Sequence, residues 1–503
     1  MKLLAMNPPQ NNHPVWGRGV DWLARWIFLG IFLGTMGISF SGCALHRPPP
    51  HPTIVDEALP KATPLPPNWS AAPNTENVTG DWVRSFQDHG LEVVVSEAIA
   101  SNLDLRQSAA RVEAARQSVV VVGSKLKPQV GANFSGATTR SKDMNTVEQN
   151  QSNMELATVA WEVDVWGRLR AQRAAAQENY EAVALDYAFA RQSLAATTAK
   201  SWYQAIETRQ LLALTEQSVN IYEKLLELVK IRRGAGKVAD LDVAEASYQL
   251  DEAQTQLTVA KGLYSDARRT LEVLVGRYPA AELKVAEAFD PLPPPVAPGI
   301  PSSLLERRPD IIAAEHQILA AFRTEEATKL ALLPDFSFTV KGGRLSDPLL
   351  SVLGLNPWLI HSAVGMFVPI YEGGALRAEI KIATAHQEES VAHFGGVALR
   401  AFAEVEVALN NERLLAERLP YMENSVRDHT EAVRVANLKY KAGTMDLLSE
   451  LQLQTGQIQS EADLIKLNSA QLTNRISLYL ALGGSFDSSP ATTFPTATVA
   501  IKP

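Results

Sequence analysis

A period of about 207 residues runs through this chain. Gly167-Arg168-Leu169-Arg170 returns as Gly374-Ala375-Leu376-Arg377, Ala235-Gly236 as Ala442-Gly443 and Val275-Gly276 as Leu482-Gly483, each at an offset of 207. Lys127-Pro128 returns as Leu333-Pro334 at an offset of 206. Ordered matches at a nearly constant offset mark a duplication, and a repeat constrains the fold more than any local propensity does. Every element of one half is therefore expected again in the other. The duplicated unit spans about 91–276 and 304–484, with a proline-rich linker at 291–301 between the halves.

Each half reads as the same succession. A helix comes first, at about 91–126 and again at 302–332, and it stops near Pro128 or Pro334. Pro309-Asp310 suits a helix start, because proline is tolerated in the first turn and an acid favours the N-terminus. Two strands follow. Val130, Ala132 and Phe134 alternate with Gly131, Asn133 and Ser135, while Phe336, Phe338 and Val340 alternate with Ser337, Thr339 and Lys341. A period of two means a strand with one apolar and one polar face. The four strands fall at about 129–138, 156–166, 335–344 and 362–371, with polar or turn-rich loops at 139–153 and 346–357. Trp161, Trp166, Trp358 and Tyr371 lie near strand ends, where an aromatic belt at a membrane surface is expected.

Long helices come next. Residues 168–233 contain neither proline nor glycine, and such a helix would be on the order of 100 Å long. Leu451, Ile458, Ile465, Leu472 and Tyr479 are spaced by seven, as are Val243, Leu250, Leu257, Tyr264 and Leu271. A companion stripe runs Leu448, Thr455, Ala462, Ser469, Ile476. A sustained heptad imposes left-handed supercoiling. Each long helix turns back at Ala235-Gly236 or Ala442-Gly443, where glycine supplies the left-handed residue that ends a helix. The result is two helical hairpins, 167–276 and 373–483, each joined to a strand hairpin.

Four strands of roughly 9–11 residues have the length of tilted membrane strands. An open four-stranded sheet in lipid would leave edge backbone groups unsatisfied, so closure needs strands from identical copies.

The N-terminus reads as an export signal. Arg18 and Arg25 precede the apolar run Trp26–Leu33, too short for a membrane span, and small residues Ser41-Gly42 precede Cys43. Cys43 is the only cysteine, which excludes an intrachain disulfide. Residues 44–80, rich in Pro, Thr and Asn, read as an extended tether. With a net charge of −8 and a pI near 5.7, the chain lacks the basic footprint of a nucleic-acid partner. The domains are thus expected as a signal at 1–42, a tether at 43–80, repeats at 81–290 and 302–484 flanking the linker, and a flexible tail at 485–503.

Several motifs carry a family resemblance. Phe40-Ser41-Gly42-Cys43 resembles a bacterial lipobox, with Phe40 where leucine is preferred. Glu306-Arg307-Arg308-Pro309-Asp310-Ile311, Trp166-Gly167-Arg168, the proline before each strand pair and the Ala-Gly tips resemble the outer-membrane factor family of the TolC type, in its NodT-like lipoprotein branch. The resemblance covers about 80–485. It implies an α+β membrane protein: a homotrimer with a 12-stranded transmembrane β-barrel, four strands per chain, continued by a long periplasmic α-helical coiled-coil barrel. It implies a diacylglycerol and an N-palmitoyl chain on Cys43, and Ala44 after the cysteine implies delivery to the outer membrane. It also implies docking to a periplasmic adaptor and an inner-membrane transporter of the RND or another export type, without enzymatic chemistry.

The same resemblance places a constricting acidic ring six and nine residues beyond the second tip glycine, where this chain has Ser449 and Gln452. The nearby acids are Asp242 and Glu245 after the first tip, and Asp446 and Glu450 beside the second, so these are the gate candidates. Adaptor docking is expected at Arg232, Arg233, Gly236, Lys237, Lys439, Tyr440 and Gly443. His386 and His393, with Glu389 between them, lack zinc spacing and read as surface residues. No metal site is expected. The alternative to a duct is a periplasmic lipoprotein scaffold whose coiled coil spans without a pore; heat-modifiable trimers and a detergent requirement distinguish the two.

Overall fold

The computed structural model describes residues 45–61, 65–70, 80–142, 147–346 and 358–486. The signal, Cys43 and the tail beyond Phe486 lie outside the described residues. The described elements are α1 (His51–Ala58), α2 (Trp82–Ser85), α3 (His89–Ser101), α4 (Leu103–Ser124), β1 (Gln129–Lys142), β2 (Val147–Val163), α5 (Arg168–Gly234), α6 (Asp240–Leu274), α7 (Pro301–Leu304), α8 (Pro309–Leu330), β3 (Asp335–Ser346), β4 (Trp358–Phe367), α9 (Ala375–Ala442) and α10 (Leu447–Ala481). The period survives in three dimensions. Helices α5 and α6 begin 207 residues before α9 and α10, and α4 begins and ends 206 before α8.

The chain divides into two units. Among the described residues the first holds those of 45–47, 122–172 and 324–380; the second holds those of 48–121, 173–323 and 381–486.

The first unit contains one antiparallel sheet in the order β1-β2-β3-β4. Each half contributes a hairpin, and β2 pairs with β3 to join the halves. Two expectations about these strands need correction. The described residues of 139–153 are strand rather than loop: β1 runs to Lys142, and β2 begins at Val147. Strand pairing needs only the backbone, so a ladder continues where apolar alternation has ended. The second strands also sit earlier than expected, with β2 ending at Val163 and β4 covering Trp358–Phe367.

The second unit is helical. One core gathers Trp82, Phe86, Trp202, Tyr203, Leu271, Ile476 and Tyr479, and the Trp82 and Tyr479 rings stack at 5.8 Å. Another gathers Ile54, Trp69, Ile311, Phe394, Val405 and Leu482. A third, near the hairpin tips, holds Tyr222, Val229, Ala246, Tyr440 and Leu451. Leu451, Leu472 and Tyr479 of the expected heptad are buried, but Leu448 is exposed, so the companion stripe does not begin there. On α6 the expected heptad is buried at Leu271, and the alanines Ala246, Ala253 and Ala260, also spaced by seven, are buried and small enough for close helix approach.

The first helix of each half is interrupted. Asn102 adopts an extended conformation between α3 and α4, accepts from the Leu105 N–H at 3.0 Å and donates to the Leu274 carbonyl at 3.0 Å. It caps α4 while fastening it to the end of α6. In the second half the break falls between α7 and α8 at the Arg307-Arg308 pair.

The reading of 43–80 as a loose extended tether is also corrected within its described residues. Residues 51–58 are helical, Ile54 is buried against the second core, and Ser70 donates its N–H to Glu406 at 2.9 Å. Trp69 sits in the same core and donates its indole N–H to the Pro298 carbonyl at 3.3 Å. The segment is a strap held by apolar anchors.

Candidate channel wall and hairpin tips

The strand register sorts the sheet into two chemically distinct faces. Cross-strand partners share a face. The rows Val130–Val159–Val340–Ser362, Trp161–Phe338–Val364 and Val163–Phe336–Met366 therefore lie on one side. The rows Gln129–Ala160–Thr339–Ala363, Gly131–Thr158–Lys341–His361 and Glu162–Ser337–Gly365 lie on the other. The apolar face is uncovered: Val130 is 76% exposed, Phe134 74%, Ile360 82% and Val364 80%. Leaving each such side chain in water forgoes about 1.5–3 kcal/mol. A contiguous patch of them marks a surface made for lipid or a partner. Among the described residues no helix is long and apolar enough to cross a membrane.

The strand roots are pinned by polar contacts. Arg168 donates to Glu162 at 2.5 Å and faces Asp335 at 3.6 Å. Asp164 accepts from the Leu169 and Arg170 N–H groups, each at 3.0 Å, and so caps α5. Trp161 donates its indole N–H to the Leu126 carbonyl at 3.1 Å, and Trp166 donates to Pro334 at 2.9 Å. Tyr371 is exposed just beyond β4, and the side chain of Trp358 lies outside the described residues.

At the other sequence-predicted site, the hairpin tips, two glycines close the turns. Gly236 and Gly443 have φ of 69° and 78°, a region costing other residues about 1–2 kcal/mol. The Lys237 N–H then returns to the Arg232 carbonyl at 2.9 Å, and the Thr444 N–H to Lys439 at 3.0 Å. Arg233 is exposed and pairs with Asp240 at 2.5 Å; Lys237 and Lys439 are exposed. Arg232 stacks on the buried Tyr440 ring at 4.4 Å, bringing the two tips together.

The four acidic candidates do not form a common cluster in one chain. Asp242 accepts from the Ala239 N–H at 2.7 Å, and Asp446 from the Ser449 N–H and hydroxyl, each at 2.8 Å; both are helix-capping groups. Those bonds hold the Asp446 carboxyl below the usual carboxylate range. Glu245 is half-buried. Glu450 is 1% exposed and its Oε2 has no hydrogen-bond partner. Burial pushes its pKa up to about 6, opposed by the charges of Lys441 and Arg232. The Tyr440 phenol, raised chiefly by its own burial, also feels the charges of Glu450 and Asp242.

Sequence reading treated Arg307-Arg308-Pro309-Asp310 as a signature without giving Arg308 a role. The structure supplies one. Arg308 is 3% exposed, grips Asp310 with two nitrogens at 2.9 and 2.7 Å, reaches Glu404 at 2.6 Å and lies over the Phe189 ring at 5.5 Å. It clasps α5, α8 and α9. His386 pairs with Glu389 at 3.0 Å on the surface.

Residues 94–277 and 300–484 match the outer membrane efflux protein family. The chain is 28% identical over 422 residues to the pyoverdine export outer membrane protein OpmQ of Pseudomonas putida, covering 82% of this chain and 89% of that protein. It is 28% identical over 413 residues to the toluene efflux pump outer membrane protein TtgC of Pseudomonas putida, covering 80% and 85%. The Campylobacter jejuni CmeC outer membrane channel has the same fold, with a TM-score of 0.80 at 18% identity over 89% of this chain and 96% of that one.

Proposed function

The chain belongs to the outer membrane efflux protein family, and from that premise we propose that three copies close a 12-stranded barrel whose apolar face meets lipid and whose polar face lines an exit duct. The protein is an outer-membrane component of an efflux or export system, and its fold is that of the outer-membrane channels. The carrying observation is the sheet: one face apolar and exposed, one polar, and two edges, β1 and β4, without strand partners among the described residues. Those edges demand closure in lipid, and pairing β4 of one copy with β1 of the next provides it without new structure.

In this reading the helical hairpins form the periplasmic part of the duct. Their tips, with Arg233, Lys237 and Lys439 exposed, dock a periplasmic adaptor that connects to an inner-membrane transporter. Cys43 carries the diacylglycerol and palmitoyl chains. Transport of this kind makes and breaks no covalent bond, so the work of the residues is to seal, open and select. The cargo is small molecules, in keeping with the pyoverdine export and toluene efflux named for the two relatives. The gate lies at the tips, where Asp242, Glu245, Asp446 and Glu450 occur.

Membrane fractionation followed by chemical cross-linking tests this. The protein is expected in the outer-membrane fraction, cross-linking to three times its monomer mass. A monomer released with the soluble periplasm overturns the proposal. For the anchor, Cys43→Ser is expected to abolish incorporation of labelled palmitate; uptake by that variant contradicts acylation at this residue.

A further inference from the structure

One row of the polar face is unlike the others. Gly131, Thr158, Lys341 and His361 are consecutive cross-strand partners, so the Lys341 and His361 side chains leave the same face from adjacent strands. Both are exposed, and Lys341 has no acidic partner among the described residues. Of the acids at register positions of this face, Glu162 and Asp335 sit at the strand roots around Arg168, Asp335 about 20 Å along β3 from Lys341, and Glu148 lies ten residues along β2 from Thr158, at the far end of the strand. The rest of the row is small or neutral. Thr158 is uncharged and Gly131 has no side chain, leaving open space above β1 beside the Lys341 and His361 side chains.

We propose that the Lys341–His361 row forms a cationic ring in the duct wall that favours anionic solutes, such as carboxylates and sulfonates, over cations. This rests on the reading that the polar face lines water and that three copies close the barrel. Closure repeats each lysine three times around one level of a pore with low-dielectric walls. Such walls focus the field of fixed charges into the lumen, and rings of basic side chains select anions. The ring is a selecting level distinct from any gate at the tips, because it acts on what passes through the barrel.

The test uses a single engineered thiol in the row, read by reagents of opposite charge in reconstituted trimers. Thr158→Cys is placed directly opposite Lys341, and Val364→Cys is placed on the apolar face as the lipid-side comparator. Reaction rates with sulfonatoethyl methanethiosulfonate (anionic) and trimethylammonioethyl methanethiosulfonate (cationic) are each divided by the rate for a free small thiol. Peptide mass spectrometry confirms the labelled position. At low salt the Thr158→Cys protein is expected to favour the anionic reagent, and adding Lys341→Gln is expected to lower the anion-to-cation ratio by about three- to tenfold. Adding Lys341→Arg, which keeps the charge, is expected to leave the ratio within about twofold. An unchanged ratio in the Lys341→Gln protein overturns the cationic ring while leaving the channel wall standing. Failure of Thr158→Cys to react with either reagent overturns the channel-wall reading itself, because that thiol would then not face water.

Discussion

Glu450 is a residue whose chemistry is at odds with its surroundings. It is a carboxylate on the first turn of α10, buried near Tyr440 of the tip core, with one oxygen unpartnered. Its folded pKa of about 6 lies above the ordinary 4.5. The protonated form is therefore favoured by folding. The stabilisation is complete below pH 4.5 and is lost as the pH rises through 6, in total about 2 kcal/mol. Amide hydrogen exchange across residues 438–451, corrected for intrinsic rates, is expected to show stronger protection at pH 5 than at pH 7.5. Glu450→Gln should remove the difference; equal protection of the wild-type tips at both pH values contradicts this account. Arg308 tells the opposite story, because its charge is fully answered. Arg308→Ala would leave the largely buried Asp310 without its partner and is expected to lower stability by about 3–5 kcal/mol, read by chemical denaturation. The sequence displayed both residues without displaying their environments. Glu450 lies in a helical stretch like many surface glutamates, and Arg308 meets Glu404 only through a fold that brings positions 96 apart together.

At the scale of elements, the strap and the sheet depend on close fits of different kinds. The Ala58 carbonyl would lie 2.4 Å from a Cβ on Gly395, so the strap rests directly on the α9 backbone. Gly395→Ala is expected to lift α1 and expose residues 51–61 to limited proteolysis while the strand hairpins stay intact; an unchanged digestion pattern would show that the contact is dispensable. On the sheet, Val364→Lys places a charge in the apolar face and is expected to cost about 2–4 kcal/mol of folding in lipid, with reduced outer-membrane yield. These elements were unequally legible. The strand faces could be read because alternation is imposed by burial in an apolar medium. The outer parts of β1 and β2 could not, because backbone pairing continues there without a pattern in the side chains. The strap was missed because proline-rich composition outweighs a few isolated anchors such as Ile54 and Trp69. Glycine in the tip turns was legible, since a left-handed residue leaves few other choices.

For the molecule as a whole, the duplication sets the symmetry of the problem and the open edges set its solution. Two hairpins per chain give a sheet too small to close and too apolar on one face for water, so the functional object is an assembly. That much follows from period and alternation. The number of copies does not, because one chain shows two free edges whether the ring holds two, three or four. Nor does the gate, of whose acids Asp242 and Asp446 are caps and Glu450 is buried in a single chain, and which take their meaning as a ring only from the other copies. The central claim is that this assembly is a conduit through the membrane, closed at its tips. Single-channel recording of the purified protein in planar bilayers tests it most directly, with an Arg232→Ala/Tyr440→Ala protein, which removes the tip-to-tip stacking, recorded alongside. The account predicts small, discrete conductance steps from the wild type and larger ones from the variant. Silent bilayers from both proteins, with the trimer verified in the same preparation, would contradict it.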